Sequence, residues 1–339
     1  MANPPPLPLS ILDLAIVESG RTPRDALTGS VALAQRAEAR GYARVWYAEH
    51  HNMSAIASSA TSVLIAHVAA HTQTIRLGSG GVMLPNHSPL VIAEQFGTLA
   101  SLHPGRIDLG LGRAPGSDQN TMRALRRRPL DAEHFPQDVL ELQAYLKGST
   151  LIEGVNAIPG RGTDIPLYIL GSSLFGAQLA AALGLPFGFA SHFAPHALEE
   201  AVAIYRRDFR ASEQLAEPYV IAGVNVIAAD TDAAAHDQLT TVRRARVARF
   251  LAPDRRLTDD QADAVLRSPQ GRQLAEMMRY SAVGTAEVVK EYLENFAAHA
   301  VADELIIAHS GPTLGDRLRS VDLLADAWGL PGVAATSVP

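Results

Sequence analysis

The sequence predicts a single-domain (β/α)8 barrel, an α/β fold, and three observations support this fold class. Short apolar runs alternate with longer helical patterns almost from end to end, which gives eight βα units in 339 residues. The strand-like runs are nearly continuously apolar, as strands are when helices cover a parallel sheet. Eight such units close into a barrel more economically than they form an open sheet, which would leave edge strands.

The eight strands and their helices follow in strict alternation. The predicted strands are residues 9–17, 44–48, 75–84, 107–111, 166–170, 186–190, 219–228 and 305–308. The predicted helices are residues 23–40, 59–71, 89–102, 137–147, 175–183, 195–212, 231–251 and 320–328, with an extra helix starting near Thr285. Gly41 ends the first helix as a C′ glycine, and Ser88-Pro89 opens the third with a serine cap and a proline.

Two segments exceed a minimal barrel and are predicted as insertions within the one domain, 1–339. Residues 148–165 form a glycine-rich loop or a small hairpin, and residues 252–282 are charged and punctuated by proline. Insertions of this length commonly act as lids or dimer contacts, so we expect a lid at 252–282.

The composition excludes several classes of function. The chain has no cysteine, which excludes disulfides, thiolate nucleophiles and iron–sulfur clusters. Its net charge is −6, and its densest basic run is the three arginines at 126–128, so nucleic acid is not expected as a partner. No basic leader and no apolar run of membrane-spanning length is present, which predicts a cytoplasmic protein without membrane contact.

Polar residues follow the strands at their C-terminal ends, where barrels of this type carry their chemistry. The segments that converge on this rim are residues 49–52, 78–81, 112–118, 171–173, 191–193 and 309–310. Folding alone does not require glycines, serines and histidines at so many neighbouring strand ends. The rim is therefore the predicted site.

An anion site is predicted where the fifth strand enters its helix. Gly171, Ser172 and Ser173 lead directly into the helix, whose first amides favour a phosphate. Arg113 lies on the neighbouring strand end and supplies a guanidinium group. An ordinary serine N-cap is the alternative interpretation of the serines.

The two adjacent histidines after the second strand suit proton transfer better than metal binding. Successive residues leaving a strand point in opposite directions, so His50 and His51 are poorly placed to share one metal ion. An unperturbed histidine titrates near pH 6.5, which suits acid–base work. We therefore predict a catalytic histidine and no metal.

Several stretches carry a resemblance to a known family. They are YAEHHN (47–52), LGSGGVMLPNHSPLVIAEQFGTL (77–99), HPGRIDLGLGRAPGSD (103–118), LGSS (170–173), GLPFGFASHF (184–193) and VGTAEVV (283–289). In these motifs the chain resembles the bacterial luciferase-like family of flavin-dependent monooxygenases, especially its single-subunit members. The motifs keep the family's order and extend over most of the predicted barrel.

The resemblance implies that reduced FMN binds at the barrel mouth. The implied cofactor-binding residues are Gly80, Gly81, Arg113, Gly171, Ser172 and Ser173. Arg113 and the serine amides would hold the phosphate, and Gly80–Gly81 matches a non-prolyl cis peptide behind the flavin ring. His50 matches the histidine that assists proton transfer. The implied reaction is that of the reduced flavin with O2 to a C4a-hydroperoxide, which oxygenates a small organic substrate.

The resemblance also implies a substrate pocket and partners. The residues that would line the pocket are His51, Met53, His192 and Phe193. Three positions depart from the luciferase α-subunit, since Gly112, Gly171 and His192 replace a cysteine, a glutamate and a tryptophan. A separate flavin reductase would supply the cofactor, and a homodimer would form through residues 59–71 and 89–102.

Three alternatives stay open at this point. Related barrels bind the deazaflavin F420 at the same mouth and transfer hydride. Some luciferase relatives bind flavin without turnover. A metal-dependent barrel hydrolase is the third alternative, which sensitivity to chelators would reveal.

Overall fold

The computed structural model describes residues 7–113, 118–251 and 255–332, and its strands form one parallel sheet. The strands are β1 (Leu9–Asp13), β2 (Arg44–Tyr47), β3 (Arg76–Met83), β4 (Ile107–Gly112), β5 (Leu167–Gly171), β6 (Phe187–Phe189), β7 (Val220–Ala228), β8 (Ser281–Gly284) and β9 (Glu304–His309). Strands β1 to β6 pair in chain order, β1 pairs with β9, and β9 pairs with β7. A further pairing of β6 with β7 closes these eight strands into a barrel, which confirms the predicted fold class.

Strand β8 is an addition to the barrel that the sequence did not predict. It pairs with residues 225–228 of β7, beyond the point where β6 ends on the same strand. Its four residues, SAVG, are too few to give a strand pattern. The predicted boundary of the second insertion, residue 282, therefore falls inside a strand.

Helices surround the barrel at the predicted positions, with three additional short ones. They are α1 (Pro23–Ala39), α2 (Thr61–Ala69), α3 (Pro89–Leu102), α4 (Gln119–Ala124), α5 (Phe135–Lys147), α6 (Leu174–Leu183), α7 (Leu198–Asp208), α8 (Asp232–Leu251), α9 (Asp259–Leu266), α10 (Pro269–Glu276), α11 (Ala286–His299) and α12 (Leu314–Trp328). Helices α4, α9 and α10 were not predicted. Among the described residues, no helix is both long and apolar enough to cross a membrane.

The helix ends follow local chemistry, with one correction. Thr22 caps α1 in a reciprocal capping box with Asp25, and Gly41 follows it with a φ of +80°. Ser88 occupies the N-cap position of α3 as predicted, but its side chain makes no capping hydrogen bond. Pro89 at the first helical position fixes the start of this helix instead.

Alternate residues of the strands build two separate cores. One set, such as Ile11 and Val45, packs under the helices, while the other points into the barrel. The buried residues of the interior cluster are Leu12, Trp46, Ala48, Tyr168, Ile221 and Ile306. This cluster fills the middle of the barrel, so a ligand has access only from its ends.

The two insertions differ in structure. Residues 148–164 consist of turns, so the small hairpin is not formed. In the second insertion, residues 252–254 lie outside the described ranges, and the rest forms α9 and α10. These helices pack on the second half of α8 around Val247, Ala262 and Leu274. The role of this segment as a lid stays a prediction.

Candidate active site

Glycines of β3 leave bare backbone at the C-terminal end of the barrel. The Gly80–Gly81 peptide is cis, as the resemblance implied, and the β3–β4 register shifts at this point. A Cβ on Gly80 would lie 2.8 Å from a Leu12 methyl carbon, and one on Gly81 would lie 2.7 Å from the Gly110 carbonyl oxygen. No side chain fits at either position without displacing its neighbours, and the backbone of Gly80 is partly exposed while that of Gly81 is buried.

Arg113 and the start of α6 lie side by side on the rim. The Arg113 guanidinium carbon is 4.2 Å from the ring centroid of Phe175, in the first turn of α6. Its Nε donates to the Ala132 carbonyl at 3.3 Å. Ser172 and Ser173 are exposed, and the Ser173 hydroxyl makes no capping bond to the helix. The structure thus brings an arginine together with uncapped helix amides, as predicted for a phosphate site.

Glu49 is a buried anchor for the loop after β2. One of its carboxylate oxygens accepts from His51 Nε2 at 2.8 Å and from His87 Nε2 at 2.9 Å. The other accepts from the Met83 amide at 2.9 Å. Burial raises the pKa of Glu49, but the hydrogen bonds from His87, His51 and Met83 outweigh it and leave the pKa lowered. The His51 ring is therefore held by an ionised carboxylate.

His50 and His192 approach each other at the mouth with ring nitrogens unsatisfied. The Nδ1 atom of each ring is buried without a hydrogen-bond partner among the described residues. Burial lowers the pKa of both rings, and with the charge of Arg246 it brings the pKa of His192 to about 3. At His50 the charge of Glu49 raises the pKa, but burial together with His51 and Arg249 outweighs it and leaves the pKa lowered. Asn225 holds the His192 carbonyl oxygen with its side-chain amide at 2.6 Å. Both imidazoles are consequently neutral at pH 7, and the low pKa of His192 makes that ring a poor proton acceptor.

The other predicted site residues take less definite positions. Met53 is half-buried in the loop after β2, and Phe193 is 42% exposed with its ring centroid 5.0 Å from that of His192. Gly171 is half-buried at the end of β5, and a Cβ at this position would lie 3.4 Å from the Cα of Gly176. His309 points away from the rim, because its Nδ1 lies 2.8 Å from Ser320 Oγ on α12. Residues 114–117 of the predicted rim lie outside the described ranges.

The sequence did not single out four side chains that complete this rim. Phe175 supports Arg113, and His87 shares Glu49 with His51. Arg246 and Arg249 of α8 bring positive charge to His192 and His50 respectively. Their spacing does not single them out in the sequence, because Arg243 and Arg246 on the same helix are also three residues apart. No group of side chains that could hold a metal ion occurs in the ranges described.

A cavity of about 490 Å³ lies elsewhere, between the ends of α11 and α12 and the start of the chain. Two of its polar side chains are paired, since Arg206 binds Asp303 at 2.6 Å and the Trp328 indole donates to the Leu7 carbonyl, and Arg206 Nε is its one buried atom without a partner among the described residues. The convergence of unsatisfied groups therefore places the candidate site at the mouth.

Comparison with known proteins identifies the family. The model of the luciferase-like monooxygenase family matches residues 10–304. The chain belongs to this family. The luciferase-like monooxygenase of Escherichia coli (strain K12) is 47% identical over 320 residues, which is 94% of this chain and 96% of that protein. The N-acetyl-S-alkylcysteine monooxygenase of Bacillus subtilis is 40% identical over 210 residues, or 60% and 62% of the two chains. The chain is thus an oxidoreductase of the monooxygenase type, as the resemblance implied.

Several solved structures share the barrel. Apo-MsnO8 is 36% identical, with a TM-score of 0.87 over 96% of this chain and all of the other. At 18% identity and a TM-score of 0.72, the FMN complex of the oxygenating constituent of 3,6-diketocamphane monooxygenase from Pseudomonas putida matches 95% of this chain and 97% of its own. An F420-dependent secondary alcohol dehydrogenase matches 95% and 98% at 16% identity, with a TM-score of 0.68. The last two likenesses concern the fold alone.

Proposed function

We propose that this luciferase-like protein is a flavin-dependent monooxygenase that uses reduced FMN and O2 to oxygenate a small organic substrate. The observation that carries the proposal is the pairing of Arg113 with the uncapped start of α6. Solved structures with the same fold include both FMN and F420 enzymes, so a flavin or a deazaflavin is the coarser expectation. FMN is favoured because the relatives of 40% and 47% identity are both named monooxygenases.

The residues at the mouth fit a phosphate-tailed flat ring. Arg113 pairs with no carboxylate in the described part of the chain, and a half-buried guanidinium group gains most from an anionic partner. The amides of Ser172 and Ser173 would take the remaining phosphate oxygens, with Gly171 giving close approach. The bare backbone of Gly80 and Gly81 offers a surface against which a ring can lie.

Bound reduced FMN would supply the electrons that activate O2, and the protein's part is to place groups around the reacting atoms. His50 would hold or move a proton at a ring nitrogen, since burial lowers its pKa and keeps it neutral at pH 7. Glu49 would fix His51 at the edge of the substrate pocket. His192, Phe193 and Met53 would line the same pocket and exclude water.

The proposed partners follow from the same chemistry. A separate flavin reductase would deliver reduced FMN in a transient encounter. A homodimer would form through α2 and α3, which expose the apolar side chains of Val63, Val91 and Leu102. The cytoplasmic location stays a prediction, as does the absence of nucleic acid and membrane partners.

Flavin titration tests the proposal directly. The wild type is expected to bind FMN, and Arg113→Ala should weaken binding by more than about 1.5 kcal/mol, roughly tenfold, because one charge-assisted hydrogen-bonding group is lost. Arg161→Ala, at an exposed position in the 148–164 loop, is the matched control and should bind as the wild type does. If the protein binds F420 tightly and does not bind FMN, the proposed monooxygenase function is wrong and an F420-dependent hydride transfer takes its place. Unchanged affinity in Arg113→Ala would remove the phosphate role.

A further inference from the structure

The side of α8 that faces the barrel changes character along its length. Ala235, Leu239 and Val242 lie on this side and pack in an apolar cluster with residues of β7 and β8. Arg246 and Arg249 follow Val242 by four and seven residues. On a helix of 3.6 residues per turn, both therefore lie within about 40° of Val242 around the helix axis and continue the same stripe. The apolar stripe that attaches the helix to the barrel therefore ends in two arginines.

The opposite side of α8 satisfies its own charge. Arg244 binds Asp263 at 2.6 Å and Asp259 at 2.6 Å, both on α9. By contrast, neither Arg246 nor Arg249 pairs with a carboxylate in the ranges that the structure describes, and Arg249 Nε is buried without a partner. The two arginines thus lie on the side of α8 opposite to the one that binds Asp259 and Asp263.

The neighbours of these arginines belong to the candidate active site. The charge of Arg246 acts on His192, and that of Arg249 acts on His50. The ring of His192 lies over Gly223 on β7, where a Cβ would collide with it. Burial lowers the pKa of Arg246 to about 10, and the charge of Arg249 lowers it further. Glu49, the nearest acid to His50, already binds two histidines and an amide.

We propose that Arg246 and Arg249 bind a carboxylate group of the substrate at the mouth of the barrel. This inference rests on the proposed monooxygenase function. Two guanidinium groups on adjacent turns match the planar, two-oxygen geometry of a carboxylate. The phosphate site at Arg113 lies beside β4 and β5, whereas α8 follows β7, so the arginine pair forms a second anion site. The described residues supply this half-buried cation pair with no acid, which is costly, and an anionic ligand would remove that cost.

Binding measurements on the FMN-loaded protein test this proposal. The probes are benzoate, hexanoate and N-acetyl-S-benzylcysteine, each compared with its neutral primary amide, and the readout is the change in flavin absorbance. We expect at least one acid to bind about tenfold or more tightly than its amide. Arg246→Gln and Arg249→Gln should each remove most of this preference without changing the affinity for the amide. Arg246→Lys and Arg249→Lys should retain part of it.

Arg243→Gln is the matched control, because Arg243 is exposed on the same helix. It should keep the full preference for the acid. The proposal is overturned if no acid of the panel binds more tightly than its amide, or if the glutamine variants keep the preference. A wild type that binds no FMN contradicts the proposed function instead, so the two failures are distinguishable.

Discussion

The two ends of the barrel treat their polar residues in opposite ways. At the N-terminal end, Arg44 lies 2.9 Å from Asp108 and 3.0 Å from Glu304, and both carboxylates are fully buried. The groups that complete this network are Ser10, Trp46, Arg76, Tyr168 and Tyr219, each of which donates to one of the two carboxylates or accepts from Arg44. Every charge in this network has a partner of opposite sign.

At the C-terminal end Glu49 is paired with His51 and His87, but several other polar groups have no such partner. Arg113, Arg246 and Arg249 pair with no carboxylate among the described residues, and Nδ1 of His50 and of His192 has no acceptor or donor. Unsatisfied buried groups cost free energy, whereas a paired network recovers it. The N-terminal end therefore contributes to folding stability, whereas the unpaired groups of the C-terminal end agree with the ligand sites proposed there.

The largest effect is expected from a substitution in the buried charge network at the N-terminal end of the barrel. Asp108→Asn leaves Arg44 and Arg76 without one carboxylate in a buried site, which should lower the free energy of unfolding by about 3–5 kcal/mol in denaturant titrations. The control is Asp230→Asn, which breaks an exposed ion pair with Arg319 and should change the free energy of unfolding little. FMN affinity should be unaffected in whatever fraction remains folded. Equal losses of stability in the two variants would contradict the assignment of this end to folding.

Much of the fold could be predicted because the strands carry their own signal. The eight barrel strands are apolar runs of recognisable length, and all of them form where predicted. Strand β8 escaped because Ser281–Gly284 offers only two apolar residues. Helices α9 and α10 escaped because their surroundings are charged, although Thr258 and Ser268 carry side-chain caps typical of helix starts.

The candidate site could be predicted only where its residues lie at strand ends. Arg113 and the serines of α6 meet because neighbouring parallel strands end at one edge of the sheet. Arg246 and Arg249 were missed because a helix rich in arginine is typical of a solvated surface. Which side of α8 faces the barrel depends on its packing against β7 and β8, and that contact has no local sequence signal.

The second-largest effect is expected for His50, which lies at the C-terminal end of the barrel. His50→Ala should slow oxygenation by about 10²-fold, as expected when an acid–base group is removed. FMN affinity should stay as in the wild type, because the residues proposed to bind the phosphate are unchanged. His196→Ala, at an exposed position after β6, is the control and should keep full turnover. Single-turnover rates with saturating substrate separate the two steps, and wild-type turnover in His50→Ala would exclude His50 from the mechanism.

The smallest effect is expected for His309, which ends β9 and lies against Ser320 of α12. Burial lowers the pKa of His309 to about 3, below its ordinary value near 6.5, and its Nε2 has no partner in the described structure. The unfolded chain therefore takes up the proton first, so His309 costs stability as the pH falls below 6.5. By pH 4.5 this linkage amounts to about 2.5 kcal/mol. His309→Asn should flatten the decline of unfolding free energy between pH 7 and pH 4.5 relative to the exposed control His236→Asn. Parallel curves would show that the pKa of His309 does not differ between the folded and the unfolded chain.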